Sequence, residues 1–446
     1  MNSPKISSEI RLQVQKAREA SLFLANLENS TKNKILHDLA KSLRENSAEI
    51  LAENSRDMAE AEKLQEIGEL SDSACKRVLL NEDKLEQMAK NCESVAALPD
   101  PSGQVLQATR LDEGLELFRV SCPIGVILVI FESRPDVVIQ ISALALKSGN
   151  AVILKGGKEA LNSNRVLAGL IRKTLIASNS APEDSVSLVE SRDEVAELVK
   201  MSAELDLIIP RGSNELVQHI QKNAQVPVLG HADGICHVFL DETANEAKSL
   251  EVTLDSKLDY PAVCNASETL LVHQNFSDKL LADILQKLQD AGVELRVCAE
   301  TEKRLQNFPQ LKLKSAAEED WKTEYIDLIL AVKSVKSAEA AVQHINHYGS
   351  KHTDSIVTEN AELAEWFMNT VDAAGVFWNA STRFSDGFRY GLGAEVGVST
   401  GKIHARGPVG LDGLVIYKYK LYGNGHGVGR YSNAKRELLH ENIALD

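Results

Sequence analysis

The sequence predicts an α/β protein, with two parallel-sheet domains in tandem and a small β arm. Three observations lead there. From residue 124 onward, short apolar runs alternate with helical segments, the pattern that right-handed crossovers impose on a parallel sheet buried on both faces. The alternation occurs in two series, separated by a polar stretch that Pro261 interrupts. Two other runs, near 105–120 and 414–421, lie outside both series and read as antiparallel or solitary strands. With 446 residues the chain is long enough to bury two or three cores.

Taken in order, residues 7–96 read as helices. Ser30 is expected to cap one in which Ile35, Leu36, Leu39 and Leu43 share a face, and Ser47 to start a charged one running to about Lys63. Pro99 to Gly103 breaks the helical period. Residues 105–110 and 115–120 then flank Asp112-Glu113-Gly114 as a hairpin. The first series places strands at 124–131, 151–154, 186–189, 205–209 and 235–240, with helices near 136–147, 160–178, 193–203 and 213–223. The second places strands near 268–273, 294–299, 328–332, 354–358 and 374–379, with helices near 277–290, 336–347 and 360–370. The hairpin and the run at 414–421 suggest a sheet completed across a subunit interface, hence a homodimer or tetramer. The polar tail is expected to rest on a partner or on the surface.

Composition excludes several classes. A formal charge of −15 argues against a general nucleic-acid binder, which needs a basic surface to displace counterions. Cys75, Cys92, Cys122, Cys236, Cys264 and Cys298 are scattered without a C-x-x-C pair. That spacing suits neither a disulfide framework nor a zinc site and fits a reducing compartment. No apolar run reaches the roughly 18 residues of a membrane span, and the N-terminus lacks a signal-peptide core. A cytoplasmic protein is the expectation, without a metal. His344 and His352 stand across a helix end and read as capping and packing residues.

Chemistry concentrates at a few stretches. Cys264 sits between Pro261 and the apolar run 269–272, a setting in which a thiol can be held in a cleft and act as the nucleophile. On residue type alone, a small buried hydrophobe is the commoner reading. Lys155-Gly156-Gly157-Lys158 ends a strand and opens a helix, and Pro210-Arg211-Gly212-Ser213 repeats the arrangement. Cations and helix-start amides at the carboxyl edge of parallel strands suit phosphate groups. Glu132-Ser133-Arg134-Pro135-Asp136 puts Ser133 and Arg134 at the positive end of a helix, where an anion or developing oxyanion is favoured. The glycine runs 391–397 and 423–429 lack the strand and helix of a dinucleotide fingerprint.

Together these stretches resemble the aldehyde dehydrogenase superfamily, most closely its branch that reduces γ-glutamyl phosphate. The resemblance covers about residues 10 to 422. It is carried by Ser121-Cys122-Pro123-Ile124-Gly125-Val126-Ile127, Glu132-Ser133-Arg134-Pro135-Asp136, Lys147-Ser148-Gly149-Asn150-Ala151 and His404-Ala405-Arg406-Gly407-Pro408. Its most specific part is Ala341-Val342-Gln343-His344-Ile345, Tyr348-Gly349-Ser350 and His352-Thr353-Asp354. The resemblance implies an aldehyde-dehydrogenase-like fold. Its NADP-binding domain would span 1–103 and 123–233, its catalytic domain 234–410, and its oligomerisation arm and tail 104–122 and 411–446. The ligand is expected in the cleft between domains.

By the same resemblance Cys264 is the nucleophile, Lys155 contacts the adenosine ribose, Gly212 and Ser213 face the cofactor diphosphate, and Glu324 holds the nicotinamide ribose. Lys158 stands where NAD-preferring relatives often carry an acid, which implies NADPH. Two departures bear on the reaction. Val228, in Pro227-Val228-Leu229-Gly230-His231, replaces the glutamate that activates hydrolytic water in oxidising relatives. The superfamily's oxyanion asparagine is absent, and Arg134 falls near its place. The implied activity is NADPH-dependent reduction of L-glutamyl 5-phosphate to L-glutamate 5-semialdehyde, a step of proline biosynthesis, through a Cys264 thioester. Ser133, Arg383, Arg389 and Arg406 are the candidate substrate anchors, and glutamate 5-kinase is a candidate functional partner. Two rival readings remain, an oxidising dehydrogenase of a small aldehyde and a non-catalytic scaffold.

Overall fold

The computed structural model describes residues 8–231, 233–432 and 436–445. The chain divides into two compact units, one of Met1–Leu229 with Gly410–Asp446 and one of Gly230–Val409.

The first unit carries a four-stranded parallel sheet in the order Val186–Val189, Ala151–Lys155, Val126–Phe131, Leu207–Arg211. Val126–Phe131 is central and all six of its residues are buried, which explains its unbroken apolar sequence. The register sets Lys155 beside Ile130 and Arg211 beside Phe131. Both cations therefore leave the sheet at its carboxyl edge, one on each side of the central strand. The helix Asp136–Ser148 is buried along nearly its whole length. Its Lys147 is fully enclosed, yet Nζ donates to Asn29 Oδ1, Asn33 Oδ1 and the Ala96 carbonyl at 2.8, 2.6 and 3.1 Å, so the ammonium is not left unsolvated. The first amphipathic helix anticipated from sequence runs Asn29–Glu45, with Ile35, Leu36, Leu39 and Leu43 on its buried face. Ser30 does not cap it. The cap position is Glu28, and Ser30 lies inside the first turn.

A second sheet in this unit is antiparallel, ordered Val415–Tyr422, Leu115–Pro123, Val105–Asp112, Glu441–Asn442. Within the chain the hairpin pairs with Val415–Tyr422 on one side and Glu441–Asn442 on the other, which leaves Val415–Tyr422 as the outer edge of the sheet. The tail is likewise tied down: Glu441–Asn442 pairs with the hairpin, and Tyr431 Oη donates to Asp112 Oδ2 at 2.7 Å.

The second unit holds seven parallel strands in the order Leu313–Ser315, Glu294–Val297, Ile329–Val335, Ser267–His273, Cys236–Leu240, Thr353–Val357, Gly375–Trp378. Cys236–Leu240 is a correction to the sequence reading, which puts it in the first series; it is an interior strand of the second sheet, between Ser267–His273 and Thr353–Val357. Successive residues face opposite sides. Val238, Leu240, Leu270, Val272 and Val332 enter one core, while Phe239, Leu271 and Ile356 enter the other.

A further correction concerns residues 246–258. The stretch before Cys264 read as polar, but Glu246–Leu258 is a helix started by Asn245, whose side chain accepts from Lys248 N. Its buried face is Ser249, Val252, Thr253, Ser256 and Lys257, a helical spacing filled mostly by polar residues. Among the described residues no helix is long and apolar enough to cross a membrane.

Candidate active site

Cys264 lies in the turn between the helix Glu246–Leu258 and the strand Ser267–His273, and it is half-buried. Both flanks of that turn are fastened. Lys257, at the end of the helix, donates to Glu268 Oε2 on the strand at 2.7 Å, with both side chains fully enclosed. Burial pushes the Glu268 carboxyl up to about 7, opposed by the Lys257 charge, and it pushes the Lys257 ammonium down. Nearer the cysteine, Asp259 and Asn265 bracket the turn. Arg383 Nε donates to Asp259 Oδ2 at 3.0 Å, and its Nη1 to Asn265 Oδ1. Arg389 Nη2 reaches the same Asp259 oxygen at 3.1 Å. These bonds, Arg389 first and then Arg383, hold the Asp259 carboxyl below its usual range. Asn265 also donates to the Ser385 carbonyl at 2.9 Å and accepts from Thr382 Oγ1 at 2.7 Å through its own carbonyl. The segment 381–389 therefore clamps the turn from outside.

The inner side of the turn is set by Gly234 and Cys236. Cys236 is fully buried, and desolvation pushes its thiol well above the usual range. It stays an S–H, which donates to the Cys264 carbonyl at 3.3 Å. Gly234 packs directly on the nucleophile's backbone: a Cβ there would meet Cys264 O, Cα and Cβ at 2.2, 2.4 and 2.5 Å. Gly234→Ala is therefore expected to displace the cysteine. A misplacement of about 1 Å costs on the order of 10²-fold in rate, so kcat should fall by roughly that factor while circular dichroism stays native.

Two histidines complete the surroundings. One ring nitrogen each of His231 and His352 and the Cys264 sulfur all lie within 4.8 Å of one another, with the two rings edge to face at 5.0 Å. His231 Nδ1 is 2.9 Å from the Val398 carbonyl. A carbonyl only accepts, so Nδ1 carries the proton and Nε2 keeps a lone pair. His352 is fully buried, and desolvation holds its ring well below the usual imidazole range, hence neutral. The sequence gives His231 no role and reads His344 and His352 alike as capping and packing residues. His344 does pack, against Trp321, Tyr348 and His237, and burial pushes it down to about 2. It is a packing residue.

The remaining anticipated positions divide between the units. In the second unit, Arg406 belongs to a different cluster from Arg383 and Arg389. It donates to Asp372 Oδ1 at 2.9 Å, beside Lys351 and Lys402. Glu324 lies close enough to Glu268 to add slightly to the rise that burial causes there. In the first unit, Ser133 is buried, with φ 51°, and both its amide (2.5 Å) and its hydroxyl (2.9 Å) donate to Glu159 Oε1. Arg134 pairs with Asp136 at 3.0 Å. Those two residues hold the turn through the chain's own carboxylates.

The anticipated nucleotide positions of the first unit share one edge. Lys155 and Arg211 end neighbouring strands, and Ser213 caps the helix Asn214–Asn223 by accepting from Leu216 N. The Ser213 amide donates to Glu132 Oε2 at 2.8 Å, and a Cβ on Gly212 would strike that carboxylate at 2.4 Å. The helix start thus already receives an anionic oxygen, over a glycine that keeps the approach open. Lys158 is exposed and stands 3.7 Å from Glu69. Two strand-end cations, a glycine turn and an anion-accepting amide are a donor set that fits a phosphorylated dinucleotide.

Residues 5–303 match the aldehyde dehydrogenase family. The chain is 49% identical to a gamma-glutamyl phosphate reductase of Acetivibrio thermocellus, over 98% of each sequence. It is 50% identical to gamma-glutamyl phosphate reductase 1 of Synechocystis, over 96% of each. The crystal structure of gamma-glutamyl phosphate reductase from Thermotoga maritima superposes with a TM-score of 0.90 at 41% identity, covering 94% of this chain and 100% of that one.

Proposed function

Because the chain belongs to the aldehyde dehydrogenase family, and within it to the γ-glutamyl phosphate reductases, we propose that it reduces L-glutamyl 5-phosphate to L-glutamate 5-semialdehyde and phosphate, with NADPH as reductant and Cys264 as covalent carrier. The observation that carries the mechanism is the setting of Cys264, a half-buried thiol in a clamped turn beside two imidazoles. The reaction is a step of proline biosynthesis.

His231 Nε2 takes the thiol proton, since its Nδ1 proton is committed to Val398. The thiolate attacks the acyl carbon and expels phosphate, a good leaving group that needs no strong acid, and a γ-glutamyl thioester forms on Cys264. When bound, the cofactor supplies the hydride that takes this thioester to a thiohemiacetal. Collapse of the thiohemiacetal frees the aldehyde and returns the sulfur. Hydrogen-bond donors at the turn stabilise the oxyanion by about 3 kcal/mol. Lys155, Gly212, Ser213 and Glu324 would hold the nucleotide. Lys158, exposed beside Glu69, would supply the cation for a 2′-phosphate and so favour NADPH.

Arg383 and Arg389 anchor the substrate's anionic groups, a reading supported by their place at the Cys264 turn through Asp259 and Asn265, whereas Arg406 pairs with Asp372 in a separate cluster. Arg134 and Ser133 act through the turn they build rather than by a free guanidinium or hydroxyl. The outer edge strand Val415–Tyr422 exposes Tyr417, Tyr419, Leu421 and Tyr422, which supports association into a homo-oligomer. The cytoplasm is the compartment that six free cysteines fit best.

The labile acyl phosphate can be generated in place by glutamate 5-kinase from glutamate and ATP. NADPH should then be consumed in a one-to-one ratio with phosphate released by the reductase, and not at all when ATP is withheld. NADPH oxidation that continues without the kinase would overturn the assignment. A direct hand-over between the two enzymes predicts that an acyl-phosphate trap fails to intercept the intermediate.

A further inference from the structure

The grouping of Cys264, His231 and His352 has a second chemical use. These three side chains come from separate parts of the second unit, and one donor atom from each lies within 4.8 Å of the others. Two imidazole nitrogens and a sulfur are the donor types of zinc and its soft neighbours, and they are poor ligands for magnesium or calcium. Around a tetrahedral ion with metal–ligand bonds of about 2.0–2.3 Å, donors stand roughly 3.4–3.6 Å apart. About 1 Å of side-chain adjustment therefore closes the set, and the half-buried Cys264 and His231 have room to make it.

Two independent features point to a ligand. His231 donates its Nδ1 proton to the Val398 carbonyl at 2.9 Å, the outer contact that fixes the tautomer and ring plane of metal-binding histidines and leaves Nε2 as ligand. His352 is fully buried, and among the described residues its Nε2 has no hydrogen-bond partner. Leaving such a nitrogen unsatisfied carries a desolvation penalty that a bound cation removes. The other nitrogen of His352 is already placed, 2.9 Å from Thr353 Oγ1 and 3.6 Å from Cys236 Sγ.

We propose that Cys264, His231 and His352 capture one Zn²⁺-class cation, with water in the fourth position, and that this locks the nucleophile reversibly. Binding exchanges the Cys264 thiol proton for the metal and releases it to solvent. The locking clause rests on the reading of Cys264 as the acyl carrier; the binding clause does not. With three protein donors and one open position the site resembles exchangeable metal sites rather than closed structural ones.

The test uses the full-length enzyme, stripped with a chelator and titrated anaerobically with Co²⁺. One equivalent should bind with a thiolate-to-cobalt charge-transfer band and tetrahedral d–d bands, and Zn²⁺ should displace it. Cys264→Ser should abolish the charge-transfer band. His231→Ala should weaken binding tenfold or more, with native circular dichroism as its control. His352 is too deeply packed to serve as the decisive variant. Absence of the band in the wild type, or equal affinity in His231→Ala, overturns the site. Zn²⁺ bound at one equivalent with turnover unaffected overturns the locking clause. Failure of the reductase reading would show separately, as a chelated enzyme that does not reduce the acyl phosphate.

Discussion

Cys264→Ala abolishes reduction, lowering kcat/KM by at least about 10⁴-fold, while NADPH binding followed by nucleotide fluorescence is retained. The sulfur carries the acyl group, so no neighbouring oxygen or nitrogen can replace it. Two of the other thiols are closed off by burial. Cys236 and Cys92 are fully buried and desolvation pushes both thiols up, Cys92 to about 12. Iodoacetamide should accordingly label Cys264 ahead of either. An alanine variant that still turns over would end the covalent mechanism.

Lys257→Met destabilises the protein by about 3–5 kcal/mol at pH 8, because a buried carboxylate is left without its cation. The pH dependence has a definite sign. The Glu268 carboxyl titrates at about 7 in the folded chain against 4.5 unfolded. A raised value means that its contribution to stability is complete below about 4.5 and is lost as the pH rises through about 7. Without Lys257, which opposes that rise, the folded value climbs further and the loss extends to higher pH. Urea denaturation should show a wide gap between wild type and variant at pH 8 and a narrow one at pH 5, where Glu268 is protonated in both. A gap of equal size at the two pH values would contradict the account. The same variant should lose activity out of proportion to its unfolded fraction, since Lys257 and Glu268 fasten the two flanks of the Cys264 turn.

The residues that were legible in the sequence are those whose periodicity reflects burial. The runs that became Val126–Phe131 and Ser267–His273 are apolar because neighbours cover both faces, so their strands could be read directly. The helix Glu246–Leu258 was missed because the rule inverts there. Its inward face is Ser249, Val252, Thr253, Ser256 and Lys257, while Leu250, Val252 and Leu254 alternate in a strand-like way. The polar face has work to do, since Ser256 Oγ meets Ser381 Oγ at 3.2 Å and Lys257 meets Glu268. Cys236–Leu240 went to the wrong sheet for another reason. An apolar strand carries no mark of which neighbours it will pair with, and this one pairs with Ser267–His273 and Thr353–Val357.

At the site, the position of Cys264 between a turn and a strand makes it a candidate, and the family resemblance decides it against the commoner buried-hydrophobe reading. His231 could not be singled out, because nothing local links it to a cysteine beyond the helix Glu246–Leu258. Its glycine neighbour and its place just ahead of a strand were the available signals. Arg383 and Arg389 were chosen on charge alone. In the structure both guanidinium groups converge on Asp259 and one also holds Asn265, the residue after Cys264. Ser133 and Arg134 drew attention for the same electrostatic reason, and the anions that answer them are Glu159 and Asp136.

The central claim is that the Cys264 thioester exchanges with phosphate and not with water. The most direct measurement is the initial rate of NADP⁺ reduction by L-glutamate 5-semialdehyde as inorganic phosphate is varied from zero. The account predicts a rate that vanishes without phosphate and saturates as phosphate is added, with the acyl phosphate as product. A rate independent of phosphate, with free glutamate as product, would contradict it.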